Sequence, residues 1–271
     1  MCQLLGMNCN VPTDICFSFT GFQARGGATD VHTDGWGIAF FEGPGVRLFL
    51  DPQPSSASPV AELVRAYPIR STNVVAHIRK ATRGAIGLEN THPFLREAWG
   101  RNWIFAHNGH LEGFAPELAG FPQPVGSTDS EAAFCWLLQE LLREFGAVRP
   151  PDETLFAALA RLTIRLAAYG ECNFLLSGGE WLMAHASTRL AYIVRRAPFT
   201  EAHLRDQDVT VDFSAVTTPA DRVAVIATEP LTDNETWEEM PAGSLWWFQE
   251  GEAKRWLPTL AGQRRTPPAA P

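Results

Sequence analysis

The chain has 271 residues, 45% hydrophobic and 19% charged, with 22 Lys+Arg against 30 Asp+Glu for a formal net charge of −8. That composition is too apolar for a disordered chain, and the absence of a basic block argues against nonspecific nucleic-acid binding. No apolar run approaches the roughly 18–20 residues of a membrane span, and Met1-Cys2-Gln3-Leu4-Leu5-Gly6 lacks the basic and apolar regions of a secretory signal. Pro12-Thr13 is placed to start a helix running to about residue 23. Segments 36–42 and 46–51 flank Gly43-Pro44-Gly45 and predict a hairpin. Segments 73–79 and 103–107 are short apolar runs ending in polar residues, as strands feeding a site would. Thr128-Asp129-Ser130-Glu131 has the spacing of a capping box. Beyond it Phe134, Leu137, Leu138, Leu141, Leu142 and Phe145 recur at steps of three and four, an amphipathic stripe. Segment 152–169 repeats that pattern through Leu155, Phe156, Leu159, Leu162 and Leu166. Gly178-Gly179 separates strands predicted at 172–177 and 180–186. Further strands are predicted at 191–195, 222–228 and 245–249, and Glu250-Gly251-Glu252 turns the chain toward 255–257. The Pro-rich tail 258–271 reads as disordered. Helices come in pairs between groups of strands, without βαβ alternation. That predicts a layered α+β protein with mostly antiparallel sheets.

Five cysteines (Cys2, Cys9, Cys16, Cys135, Cys172) are scattered, odd in number and without a CxxC pair. Neither a disulfide framework nor a zinc knuckle is indicated, and a reducing cytoplasm is the expected setting. Cys2 directly follows the initiator Met. Cysteine is small enough for that Met to be removed, leaving a thiol and a free α-amine on one residue. A thiol titrates near about 8.5 and an α-amine near about 7.7–8.0, so the amine can accept the thiol proton near neutral pH. One residue then supplies both nucleophile and base. Taken alone, Cys2 reads more readily as an inert small residue starting a buried strand. Asn108-Gly109, alone, is equally a tight turn. Asp129 suits the first turn of a helix, whatever else it does. Trp36 fills a core position or lines a pocket, and its segment is assigned to the pocket side. His77, His92, His107 and His110 invite a metal reading, but no HExxH motif or cysteine pair completes a ligand shell.

The order of the motifs carries more than any one of them. Cys2 is followed by Asp34-Gly35-Trp36-Gly37, then His77-Ile78-Arg79-Lys80-Ala81-Thr82 and Thr91-His92-Pro93-Phe94. Phe105-Ala106-His107-Asn108-Gly109 and Thr128-Asp129-Ser130-Glu131 complete the series. Together these resemble the glutaminase domain of class II glutamine amidotransferases, most closely the short stand-alone bacterial members. The resemblance implies a four-layer αββα sandwich of N-terminal-nucleophile (Ntn) hydrolase type. It implies one such domain over 1–257, with 258–271 as the tail, in place of the two domains that length alone allows. Cys2 is then nucleophile and α-amine base, and Asn108 and Gly109 form the oxyanion hole. Arg79 binds the substrate α-carboxylate, where its planar fork suits bidentate recognition. Thr82 adds a hydroxyl donor, Asp129 takes the α-ammonium and Trp36 belongs to the pocket.

The implied reaction hydrolyses the γ-carboxamide of glutamine through a Cys2 γ-glutamyl thioester, with no metal or organic cofactor. The length leaves no room for a synthase domain, so the ammonia is expected to pass to a separate synthase. Two alternatives stay open: hydrolysis of another γ-glutamyl amide or thiol conjugate, and non-catalytic glutamine binding in regulation. Neither nucleic acid nor membrane is an expected partner, and the oligomeric state is left open.

Overall fold

The structure is a computed structural model that describes residues 2–81 and 85–259. Strand β1 (Gln3–Thr13) comes first. Pro12, expected to open a helix, lies in this strand. Residues 10–12 fall in a register shift between Asn8 and Thr13 and pair with neither neighbouring strand, so the missing proline N–H breaks no ladder bond. Helix α1 (Cys16–Ala24) begins instead where Asp14 Oδ1 accepts the Cys16 N–H at 3.2 Å. The hairpin of β2 (Trp36–Glu42) and β3 (Gly45–Asp51) follows. Helix α2 (Pro59–Ala66) is started by Ser58, whose hydroxyl accepts the Ala61 N–H at 3.3 Å, and by Pro59 in the first turn. Next come β4 (Ser71–Ile78), β5 (Phe94–Ala98) and β6 (Arg101–Leu111).

Helix α3 (Asp129–Phe145) has the expected cap, with Thr128 Oγ1 accepting the Glu131 N–H at 3.2 Å. The reciprocal half of the capping box is not made. The Glu131 carboxylate turns to the Val125 and Gly126 N–H groups at 3.0 and 2.7 Å and pairs with Arg96. Its charge is spent on stitching the preceding loop to the helix. Helix α4 (Asp152–Ala167) completes the pair. The remaining strands are β7 (Gly170–Ser177), β8 (Trp181–Ala186), β9 (Ala191–Arg196), β10 (Glu201–His203) and β11 (Thr210–Asp212). They are followed by β12 (Arg222–Ala227), β13 (Glu238–Glu239), β14 (Ser244–Gln249) and β15 (Glu252–Pro258). Pro258, assigned to the tail from sequence, closes β15 opposite Ser244, and Thr259 bonds His185. The rest of the predicted tail lies outside the described residues.

One sheet has seven strands in the order β13-β9-β12-β1-β4-β2-β3 and the other six in the order β15-β14-β8-β7-β6-β5. Every pairing between these strands is antiparallel. Three apolar interfaces define four layers. Phe19, Phe22 and Val64 of α1 and α2 pack on Leu5, Trp36 and Val74 of the first sheet. Leu4, Val75, Ala106, Leu175 and Ile226 fill the space between the sheets. Phe134, Leu138, Leu155 and Phe156 of α3 and α4 cover Phe105, Phe174 and Trp247 of the second sheet. Burial of each such aliphatic or Phe side chain is worth on the order of 1.5–3 kcal/mol, before the cost of ordering it. The α+β sandwich read from the sequence is therefore observed. Among the described residues, no helix is long and apolar enough to cross a membrane.

Candidate active site

Strand parity sets the site. Successive side chains alternate between the faces of a sheet. Leu4, Val75 and Ala106 all face the layer between the sheets. Counting in twos, Cys2 shares the face of Leu4, Arg79 that of Val75 and Asn108 that of Ala106. Register then brings them to one end of the sandwich. Gln3 stands opposite Ile78 in the β1–β4 pair, so Cys2 comes beside Arg79. Across the sandwich, the Cys2 nitrogen donates to Asn108 Oδ1 at 2.8 Å, joining the two sheets at that point.

The Cys2 sulfur is held by a main-chain segment. The Lys80 N–H donates to Sγ at 3.3 Å, and the thiol donates to the Lys80 carbonyl at 3.4 Å. Asp34 fixes that segment: its N–H donates to the Arg79 carbonyl at 3.1 Å, and its Oδ2 accepts the Ala81 N–H at 2.7 Å. The Arg79 N–H in turn donates to the Gly35 carbonyl at 2.8 Å. Burial pushes the Cys2 thiol above its ordinary value, while the Lys80 main chain and the Arg79 charge pull it back. Cys2 is thus held as a thiol at neutral pH. Arg79 is buried, and its Nη1 donates to the Ala85 carbonyl at 3.0 Å.

Asn108 is buried, with Oδ1 taken by Cys2, and among the described residues its Nδ2 has no hydrogen-bond partner. A buried unpaired amide donor costs about 1–3 kcal/mol, so this one is held against its own stability. A β-carbon on Gly109 would stand 1.9 Å from the Glu171 carbonyl oxygen, and only glycine fits there. Asp129 opens α3 with a side chain 20% exposed. Its Oδ2 accepts the Leu111 N–H at 2.8 Å and lies 3.3 Å from His110 Nδ1, and its Oδ1 accepts the Ser130 N–H at 2.8 Å. The carboxylate thus ties the end of β6 to the start of α3 and stays partly exposed. His107 Nε2 lies 3.3 Å from the Glu171 carbonyl, which can only accept, so Nε2 carries the proton and Nδ1 accepts from the Ser130 hydroxyl at 2.8 Å.

Structure and sequence part at one expected site position. The Trp36 side chain, assigned to the pocket side, is fully buried in the layer beneath α1, 5.7 Å from the Phe19 ring. Parity explains this: Trp36 shares its face with Ile38 and Phe40, and it is the Asp34-Gly35 backbone that borders Arg79. Thr82 lies outside the described residues. His77 and His92 lie 4.2 Å apart between centroids with their rings tilted at 36°, both buried and both kept neutral, His77 down at about 3 by burial first and by His107 and Arg79 next. Among the described residues, no group of three or more His, Cys, Asp or Glu is arranged to hold a metal ion. The grip of the Lys80 main chain on sulfur was not read from sequence, because a backbone contact leaves no residue signature. All five cysteines are free.

Comparison with known proteins identifies the family. The sequence model described as Glutamine amidotransferases class-II matches residues 1–269. "Putative glutamine amidotransferase YafJ" of Escherichia coli (strain K12) is 56% identical over 252 residues, spanning 93% of this chain and 99% of that protein. The crystal structure of a "predicted glutamine amidotransferase" from Pseudomonas aeruginosa PA01 superposes with a TM-score of 0.75 at 48% identity, covering 93% of this chain and 99% of that one. The allosteric regulatory enzyme of purine biosynthesis shares the fold alone, with a TM-score of 0.61 at 16% identity over 96% of this chain and 49% of its own.

Proposed function

The chain belongs to the class-II glutamine amidotransferases, with their Ntn-type fold, and from that membership we propose that it hydrolyses the γ-carboxamide of glutamine through Cys2. One observation carries the reading: Asn108 ties its oxygen to the Cys2 nitrogen while its own buried amide donor stays unpaired. Removal of Met1 turns the Cys2 nitrogen into an α-amine. That amine takes the thiol proton, and the thiolate attacks the carboxamide carbon. Asn108 Nδ2 and the Gly109 N–H receive the oxyanion. The tetrahedral intermediate collapses, its C–N bond breaks, and ammonia leaves with a proton returned by the α-ammonium. Water then attacks the γ-glutamyl thioester, giving glutamate and the free thiol.

Arg79 and Asp129 hold the α-carboxylate and α-ammonium, converting a bimolecular encounter into an oriented one. Thr82 adds a hydroxyl donor to the carboxylate. The ammonia passes to a separate synthase, and the free thiol suits a reducing cytoplasm. The test is a panel of glutamine and other γ-glutamyl amides and thiol conjugates, read as glutamate release by protein lacking Met1. Release from glutamine supports the proposal. Release only from another γ-glutamyl compound makes the protein a different amidohydrolase. Binding of glutamine without turnover of any compound makes it a regulatory binding protein.

A further inference from the structure

We propose that Asn173 is the positioning residue of the oxyanion hole, fixing the Asn108–Gly109 peptide so that the Gly109 N–H faces the reacting carbonyl. This rests on the glutaminase reading above. Asn173 lies in β7 directly opposite Asn108 and is fully buried. Its Nδ2 donates to the Asn108 carbonyl at 3.1 Å and to Thr188 Oγ1 at 2.8 Å. Its Oδ1 accepts three successive main-chain N–H groups, from Ser187 and Thr188 at 3.0 Å and from Arg189 at 3.3 Å. Every donor and acceptor of the side chain is engaged. A side chain tied this way to the turn after β8 cannot swing, so it grips the Asn108 carbonyl from a fixed place.

The direction of the Gly109 N–H follows from that grip. In a trans peptide the C=O and the next N–H point opposite ways. With the Asn108 carbonyl drawn toward β7, the Gly109 N–H leaves β6 on the other edge. Leu111, two residues on, uses that same edge to donate to Asp129 Oδ2 at 2.8 Å. Pairing of β5 with this edge runs from Arg101 only to Phe105, opposite Phe94. The Gly109 donor is therefore on an edge that β5 does not cover, between the nucleophile and Asp129. Cys172, Phe174, Leu175 and Leu176 around Asn173 are apolar and buried. A buried amide there is costly unless its bonds are needed. The bonds of Oδ1 shape the 187–189 turn. The bond from Nδ2 to Asn108 does nothing for that turn and acts on the site alone.

The test uses the full chain lacking Met1, as wild type, N173D, N173A and T188V. N173D keeps the Oδ1 acceptors and removes the donor to Asn108. N173A adds no charge. T188V leaves the bond to Asn108 in place. Three readouts are taken: hydrogen exchange of segment 105–111, glutamine turnover, and alkylation of Cys2 by iodoacetamide. Alkylation displaces iodide at a saturated carbon and forms no oxyanion, so it reports the nucleophile without the hole. In N173D and N173A, kcat falls between about 10- and 100-fold, while KM and the alkylation rate stay within about twofold. Exchange in 105–111 quickens by about tenfold or more in both, with the rest of the protein unchanged in N173D, while in N173A the 187–189 turn, which loses its Oδ1 acceptors, quickens as well. T188V stays near wild type in all three. Unchanged exchange in both Asn173 variants overturns the proposal, as does an equal loss of alkylation and turnover, or a T188V loss matching theirs. If wild type turns over no γ-glutamyl amide while the selective exchange effect is present, the glutaminase reading fails and the positioning of the peptide stands.

Discussion

Replacing Asn108 with Ala separates activity from stability. The side chain makes one hydrogen bond, from the Cys2 nitrogen to Oδ1 at 2.8 Å, and buries an unpaired Nδ2. Losing the bond costs about 0.5–1.5 kcal/mol, and removing an unsatisfied buried donor restores about 1–3 kcal/mol. The space left by truncation costs about 1 kcal/mol. These terms cancel to within about 1.5 kcal/mol, which moves the melting midpoint of a protein this size by about 3–6 °C. Activity has no such compensation. Removing one oxyanion donor costs about 2.7–4 kcal/mol, or about 100- to 1000-fold in kcat, and Cys2 also loses its anchor. The assay is glutamate release at saturating glutamine, with thermal melting of the same samples. A folded variant keeping more than about a tenth of wild-type kcat refutes the oxyanion role. A fall in melting midpoint beyond about 10 °C refutes the stability reasoning.

Cys2→Ala abolishes turnover and leaves the fold and glutamine binding intact, as read by melting and calorimetric titration. Active protein lacks Met1 by intact mass, and turnover by a chain that retains Met1 contradicts the α-amine as base. Arg79→Lys trades a planar fork for a point charge, so KM for glutamine rises by about 10- to 100-fold with kcat little changed; an unchanged KM excludes a carboxylate contact. His185 is held down to about 4 by burial, despite its contact to the Cys172 carbonyl. Its unfolded counterpart titrates near about 6.5 and binds the proton first, so stability present above that pH is lost as pH falls toward 4. The shift corresponds to about 3 kcal/mol. The melting midpoint therefore declines between about pH 6.5 and 4, and His185→Gln declines less; equal slopes refute a neutral buried imidazole. His77 and His92 add to the same acid loss.

The helical stripe of α3, the two glycine hairpins and the paired helices were legible because each is set by local periodicity or turn chemistry. Helix α2 carried a readable start in Ser58-Pro59, yet its eight residues are too short for periodicity to declare them. Pro12 misled for a physical reason: a bulge in a strand tolerates proline as well as a first helical turn does. Trp36 misled because its motif borders the site through backbone while its own ring obeys strand parity. Glu131 matched a capping box in spacing, but Arg96 and the loop before α3 offered its carboxylate better partners.

The sequence by itself determined the layered α+β class and, through the order of its motifs, a family resemblance that marks Cys2, Arg79, Asn108, Gly109 and Asp129 as candidate site residues. Those roles follow from the resemblance, because residue type and local spacing alone leave Cys2 an inert strand residue and Asn108-Gly109 a plain turn. Only the tertiary structure decided how they meet. Cys2 and Asn108 are 106 positions apart and come within 2.8 Å because two separate sheets stack with their inward faces in register. The clasp of Lys80 on sulfur, the anchor at Asp34 and the support from Asn173 are backbone and cross-strand contacts, and such contacts come into existence only when the strands pair.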